Sequence, residues 1–359
     1  MRRVVVAMLV LCVASVAHGA SASSRPGSAI WTHTLPSSPW DFAVDRGGGV
    51  VITDAGAVLA FRPSGRSTWR QNIAGIADTT PAIGADLVLI ASETGVTAFS
   101  RADGAQRWQQ STASRVTSLA LDDDLALIGD QSGALRAVDA ASGAPRWSTA
   151  FEGVVFGARI DRSARTAVVG WRPLTSSAVR AFDLTTGTLR WGFGTGIGTA
   201  TPIVRGGTVY IAQGDDNYHA TVQAWDATTG VPRWETSVPG SFEDSIEPAL
   251  GGGELVVVDH AGVVTVLDAT TGHIRWQRDV AQFVLETRIS LSRRRITFVA
   301  FSGDVFVLDR GSGRTVARAT GEGLGGYVTA TEMTTWPGHQ GLLLATRLAS
   351  DRLELRRIP

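Results

Sequence analysis

Hydrophobic positions along this chain fall in short runs rich in Val, Ile, Ala and Thr, cut by turns of Gly, Asp, Ser and Thr. "ATPIV", "RGG" and "TVYIAQ" (200–213) read as a strand, a glycine turn and a second strand. "ATVQAWD", "ATTG" and "VPRWETSV" (220–238) read as a third strand, a turn and a fourth. Nothing in the pattern supports a helix longer than one turn. The unit then repeats. Its last strand carries a tryptophan at 31, 69, 108, 147, 191, 234 and 276, at gaps of 38, 39, 39, 44, 43 and 42, and Ala317 takes the same place 41 residues later. In every copy a glycine stands four residues before that position, from Gly27 to Gly313.

Four strands in a period near 41 predict a propeller blade, whereas a β-helix would need a much shorter repeat. Strand triplets near 40–62, 79–99, 116–139, 154–183, 200–226, 246–267, 285–308 and 327–357 predict an all-β ring of eight four-stranded antiparallel blades, a single domain over 28–359. The last triplet has no outer strand of its own and "SAIWTHT" (28–34) has no blade before it, so the two are expected to pair near 351–357 and close the ring. In each turn the Asp (Asp139, Asp183, Asp226, Asp268, Asp309) is suited to accept backbone N–H groups, and the Gly to adopt the left-handed conformation. Trp31, Trp69, Trp108, Trp147, Trp191, Trp234 and Trp276 are expected to be buried against the neighbouring blade. Covering about 200 Å² of ring at roughly 25 cal/mol per Å² contributes up to about 5 kcal/mol per copy.

These residues resemble the pyrroloquinoline-quinone (PQQ)-like propeller repeat, with its A-x-D-x-x-T-G-x-x-x-W docking motif. The resemblance runs from about Gly27 to Pro359 and is strongest in the copies ending at Trp147, Trp191, Trp234 and Trp276. "FRPSGRSTW" lacks the Asp and "LDRGSGRTVA" lacks the Trp, so the aromatic seam is expected to be weakest there.

Composition narrows the class. Charged residues are 18%, all basic side chains except histidine are Arg, and the formal net charge is zero, so no global field draws the chain to nucleic acid. "MRR" followed by "VVVAMLVLCVASV" and "AHG" reads as a signal peptide over 1–19, with cleavage after Gly19 or after Ala22. No other stretch is apolar and long enough to span a membrane. The single cysteine, Cys12, follows Leu11 rather than a small residue, which argues against lipid anchoring there. The mature protein is expected to be periplasmic or extracellular, without a thiol.

Catalytic constellations are not apparent. PQQ-dependent dehydrogenases with this repeat would add an adjacent-cysteine disulfide and a calcium site of Glu, Asn and Asp. Here vicinal cysteines are absent, Asn occurs only at 72 and 217, and no catalytic residue carries over. "DDD" (122–124) reads as a solvated turn and "GDDNYH" (214–219) as a polar loop. No cofactor, metal or catalytic residue is therefore expected. The longest connections, "GWRPLTSSAV" (170–179), "QGDDNYHATV" (213–222) and "PGSFEDSIEP" (239–248), fall in the fourth to sixth periods. They make Trp171, Arg172, Asp215, Asp216, Tyr218, Phe242, Glu243, Asp244 and Glu247 candidate partner-binding residues. Drift in tolerant loops is the other reading of them. Taken whole, the chain resembles the family of the outer-membrane protein assembly factor BamB. That resemblance implies a monomeric, non-catalytic propeller scaffold that binds a protein partner in the cell envelope. The alternative is a PQQ-binding oxidoreductase or a small-ligand sensor that uses the axial funnel.

Overall fold

The computed structural model describes residues 29–172, 177–195, 198–199, 201–214, 220–238, 248–280, 282, 284, 289–319, 327–336, 339–347 and 352–356. They form antiparallel sheets whose strands run in meander order from the inside of a ring outward. Seven blades are built from consecutive strands, over residues 39–72, 82–111, 116–150, 154–195, 198–238, 249–279 and 290–319. The expectation of an eight-bladed propeller is corrected to these seven blades. One of them also departs from four strands. In blade 5 the innermost position is split between Gly198–Thr199 and Ile203–Arg205, both paired with Thr208–Gly214.

The strands left over form a composite sheet in the order Ala29–Thr34, Arg352–Arg356, His339–Arg347, Tyr327–Trp336. It differs from the seven because no hairpin turn joins its outer two strands, which come from distant parts of the sequence. Their pairing is the one expected, with Trp31 opposite Leu355 and Thr34 opposite Arg352. Tyr327–Trp336 lies beside Pro39–Asp45 of blade 1 and Arg295–Val299 of blade 7, so this sheet closes the ring.

No single central core exists. Apolar clusters lie between neighbouring blades: Leu127, Leu135 and Ala137 of blade 3 meet Val155, Val169 and Phe182 of blade 4, and Val222 and Ala224 of blade 5 meet Leu255 and Val257 of blade 6. The docking tryptophans complete each seam. Their indole N–H groups donate to carbonyls of the next blade: Trp69 to Arg101 (2.8 Å), Trp108 to Ala140 (2.8 Å), Trp147 to Leu184 (2.9 Å), Trp191 to Ala227 (3.0 Å), Trp234 to Ala269 (3.1 Å) and Trp276 to Arg310 (3.0 Å). Trp31, in the composite sheet, donates to Pro63 of blade 1 at 3.0 Å.

Each ring lies flat on the motif glycine of that next blade. A Cβ on Gly65, Gly104, Gly143, Gly187, Gly230, Gly272 or Gly313 would stand 2.5–2.9 Å from the ring, and all seven have φ between +68° and +81°. The glycine is therefore required twice, by the turn and by the tryptophan above it. Only Trp69 and Trp108 are fully buried, at 8% exposure. The other five are half-buried. Two residues beyond the tryptophan a second tie forms, from Gln71 to the Gly104 carbonyl (2.9 Å) and from Thr236 to the Gly272 carbonyl (2.7 Å).

The motif turn is a closed polar network. Asp226 Oδ1 accepts the N–H groups of Thr228 and Thr229, and Gly230 N–H donates to the Asp226 carbonyl. The arginine that precedes the tryptophan, which the pattern of strands does not single out, returns to the other carboxylate oxygen. Arg146 pairs with Asp139 (2.8 Å), Arg190 with Asp183 (2.7 Å), Arg233 with Asp226 (2.8 Å) and Arg275 with Asp268 (2.7 Å). That guanidinium, together with turn N–H groups and hydroxyls, pulls the pKa of Asp139, Asp183, Asp226 and Asp268 each from 3.8 to about 2.

Two outcomes are expected. Trp191→Ala opens a seam and lowers stability by about 3 kcal/mol in chemical denaturation, and Gly230→Ala, which strains the turn and displaces the same ring, lowers it by about 2 kcal/mol or more. A change below about 0.5 kcal/mol for both would show the seam to be dispensable. The depressed carboxylate pKa values give the second. A carboxylate whose folded pKa lies below its unfolded value stabilises fully above about pH 4–5 and loses that contribution as pH falls toward 2. Thermal melts of wild type and Asp183→Asn/Asp226→Asn should differ at pH 6 and converge near pH 2. A constant difference across that range would rule the ion pairs out as the source.

Candidate functional site

The meander places two kinds of connection on opposite faces of the ring. Turns between first and second strands leave on the same side as the D-x-x-T-G turns. Turns between second and third strands, and the crossovers to the next blade, leave on the other side.

The motif face is tied together by ions. Arg101 of blade 2 pairs with Asp45 of blade 1 and donates to the Gly84 carbonyl at 2.8 Å. Arg310 of blade 7 reaches Glu254 (2.5 Å) and the Gly251 carbonyl of blade 6. The "DDD" turn belongs to this system. Asp122 and Asp124 of blade 3 are both held by Arg162 of blade 4, and Asp124 also by Arg146 at 2.8 Å. The turn is thus a clamp between blades, which its sequence as an isolated acidic triplet did not reveal. Arg146, Arg162 and Asp124 are partly exposed, so each pair contributes little alone and the network chiefly fixes register.

Two hollows open here. The axial channel, about 1040 Å³, is lined by the innermost strands, with Phe42, Thr80, Leu119, Arg159, Asp161 and Ala249 from successive blades. Burial raises the Asp161 pKa. Hydrogen bonds from the Ser163 hydroxyl and the N–H groups of Gly207 and Ala164 outweigh it and hold the carboxyl below its usual value. The Gly207 bond, 2.7 Å, spans blades 4 and 5, so Asp161 is a structural tie in the channel wall. A groove of about 780 Å³ between blades 2 and 3 is lined by Asp86, Arg101, Arg107, Asp122 and Asp123. Arg107 has the motif position before Trp108, but Ser100 replaces its Asp, which leaves Arg107 on the groove wall. Among the described residues no three His, Cys, Asp or Glu side chains gather as a metal site, and no helix is long and apolar enough to cross a membrane.

The expected partner-binding stretches are bounded by strands that end on the opposite face. Strands flanking 173–176, 215–219 and 239–247 end there, on blades 4 and 5 and at the entry to blade 6. Asp215, Asp216, Tyr218, Phe242, Glu243, Asp244 and Glu247 lie outside the described residues. Trp171 and Arg172 end strand Thr166–Arg172. Arg172 is exposed, with its guanidinium carbon 5.3 Å from the centre of the Phe156 ring. Trp171 is half-buried and meets Phe151 edge to face, with centroids 5.8 Å apart at 84°. The Arg180 guanidinium lies 4.0 Å from the centre of Trp171 and 4.8 Å from that of Phe151. Sequence reading missed both Phe151 and Arg180, since neither is near Trp171 along the chain. The signal was the alternation of the strands, which puts Trp171 and Arg180 on one face of blade 4.

This architecture has known counterparts. The profile of the family described as outer membrane protein assembly factor BamB matches residues 19–170 and 175–328. The chain belongs to that family. The outer membrane protein assembly factor BamB of Burkholderia pseudomallei is 25% identical over 266 residues, covering 69% of this chain and 68% of its own length. The serine/threonine-protein kinase AfsK of Streptomyces griseus is 33% identical over 111 residues, 28% of this chain and only 13% of the kinase. Among solved structures, BamB from Moraxella catarrhalis superposes with a TM-score of 0.71 at 18% identity, over 92% of this chain and all of that one. A europium-containing methanol dehydrogenase superposes with a TM-score of 0.70 at 11% identity, over 88% and 84%. At these identities the two structures share the fold with this BamB-family chain, and no more than the fold.

Proposed function

We propose that this BamB-like propeller is an exported, monomeric scaffold that catalyses nothing and binds an envelope or secreted protein partner. Residues 1–19 act as its signal peptide, and the mature chain works in the periplasm or outside the cell, without lipid at Cys12. The observation that carries this reading is the match of the outer-membrane assembly-factor family across residues 19–170 and 175–328. The arrangement of connections supports it, because the strands that flank the three longest stretches end on neighbouring blades, on the face free of motif turns. A rigid ring that presents adjacent loops suits partner recognition, and Trp, Tyr and Arg are the residues that anchor such contacts. Trp171, Arg172, Asp215, Asp216, Tyr218, Phe242, Glu243, Asp244 and Glu247 are the contact residues proposed.

A second reading follows from the axial channel. Its volume accommodates a quinone-sized ligand, and the methanol dehydrogenase likeness shows that this fold serves oxidoreductases. The channel wall speaks against it, because Asp161 is committed to Ser163, Ala164 and Gly207.

Partner capture from intact envelopes by proximity labelling tests the scaffold. Trp171→Ala and Tyr218→Ala should each lower affinity roughly thirtyfold, as loss of an interfacial aromatic commonly costs more than 2 kcal/mol, with Tm nearly unchanged. Tight uptake of PQQ with calcium, together with reduction of a dye by an alcohol or sugar, would move the function to the channel.

A further inference from the structure

Arg180 stands in strand Ser177–Asp183, opposite Gly192 of the outer strand of blade 4. Gly192 makes room for it: a Cβ there would stand 3.1 Å from the arginine's Cγ. Phe151, which with Trp171 encloses the guanidinium, also stacks on Phe182 at 5.9 Å and 12°, so the box is rooted in the apolar layer between blades 3 and 4. Several other strand arginines meet carboxylates: Arg190 meets Asp183, Arg233 meets Asp226, Arg295 meets Asp309 and Arg318 meets Asp304. Among the described residues Arg180 has only its two rings.

That setting leaves chemistry unmet. Burial pushes the Arg180 pKa down, and the stacked rings offer their faces but no acceptor for its five N–H donors. In the same box the Trp171 indole N–H is buried and has no acceptor among the described residues. A planar, two-oxygen anion matches the guanidinium fork, and the ring edges suit an apolar neighbour of that anion. The exposed Arg172 adds a second positive charge at the same end of the blade.

We infer that Phe151, Trp171 and Arg180 form a docking point for the carboxylate side chain of an extended acidic peptide segment in the partner. This deepens the partner-binding reading and rests on it. Arg180 takes the carboxylate through its planar fork, while Trp171 and Phe151 hold the guanidinium in place and cover the flanking apolar residue.

Anisotropy of a labelled, end-capped peptide of alternating Glu and Leu, against its Gln-for-Glu counterpart, tests the docking point on the full mature chain. The Glu peptide should bind at least tenfold tighter at low salt, and the preference should shrink as salt rises. Arg180→Gln should abolish the preference. Arg180→Lys should lose most of it, since an ammonium keeps the charge without the fork, and melting curves confirm that both variants fold. Equal affinity for the two peptides, or an undiminished preference in Arg180→Gln, overturns the proposal. So does markedly tighter binding by Asp215→Asn/Asp216→Asn, which would mean that the chain's own carboxylates already occupy the guanidinium. Partner capture that persists in Arg180→Gln removes this site while the scaffold reading stands, whereas failure of wild type to capture any partner removes the scaffold reading itself.

Discussion

An indole lying on a glycine holds this ring together. The contact recurs at seven seams, from Trp31 on Gly65 to Trp276 on Gly313, and it constrains both partners at once. The glycine must have no side chain because the ring occupies that space, and must reach positive φ because the turn demands it. The tryptophan must be long enough to reach over the edge of its own sheet and donate to the next. A blade alone would expose two apolar faces, as Leu127 and Val155 show from either side of one seam. Closing the ring is what buries them, so stability resides between blades rather than within them.

Polar ties follow the same logic. The aspartate of each turn organises that turn, and the arginine before the tryptophan locks the turn to the strand that carries the ring. Copies that lose one member still carry charged contacts to the preceding blade. Blade 2 has Ser100 in place of the aspartate, and its Arg101 reaches back to Asp45 of blade 1. Blade 7 ends in Ala317 in place of the tryptophan, and its Arg310 holds Glu254 of blade 6.

The two faces are therefore unequal. One is committed to turns and ion pairs that maintain register. The other carries the crossovers and long connections, where residues can change without disturbing a seam. The Trp171–Arg180 box sits at the boundary, rooted in an interblade core and reaching the open face. Membership of the BamB family accords with a scaffold propeller, and the likeness to a methanol dehydrogenase extends to the fold alone.

By itself the sequence determined the repeat, the all-β class, the order of strands within a blade and the pairing of residues 28–34 with the last strand. These depend on periods of two and about forty, which are properties of neighbouring residues along the chain. It overstated the number of blades, eight against seven, because a count of strand triplets does not distinguish a sheet made of consecutive strands from one assembled by distant segments. It also treated the tryptophans as uniformly buried, whereas five are half-buried. Contacts between blades were beyond it. Asp122 with Arg162, Asp161 with Gly207 and Arg180 with Phe151 join residues 29 to 46 positions apart. Only the curvature of the closed ring sets which side chains meet across a seam, and no local pattern encodes that curvature.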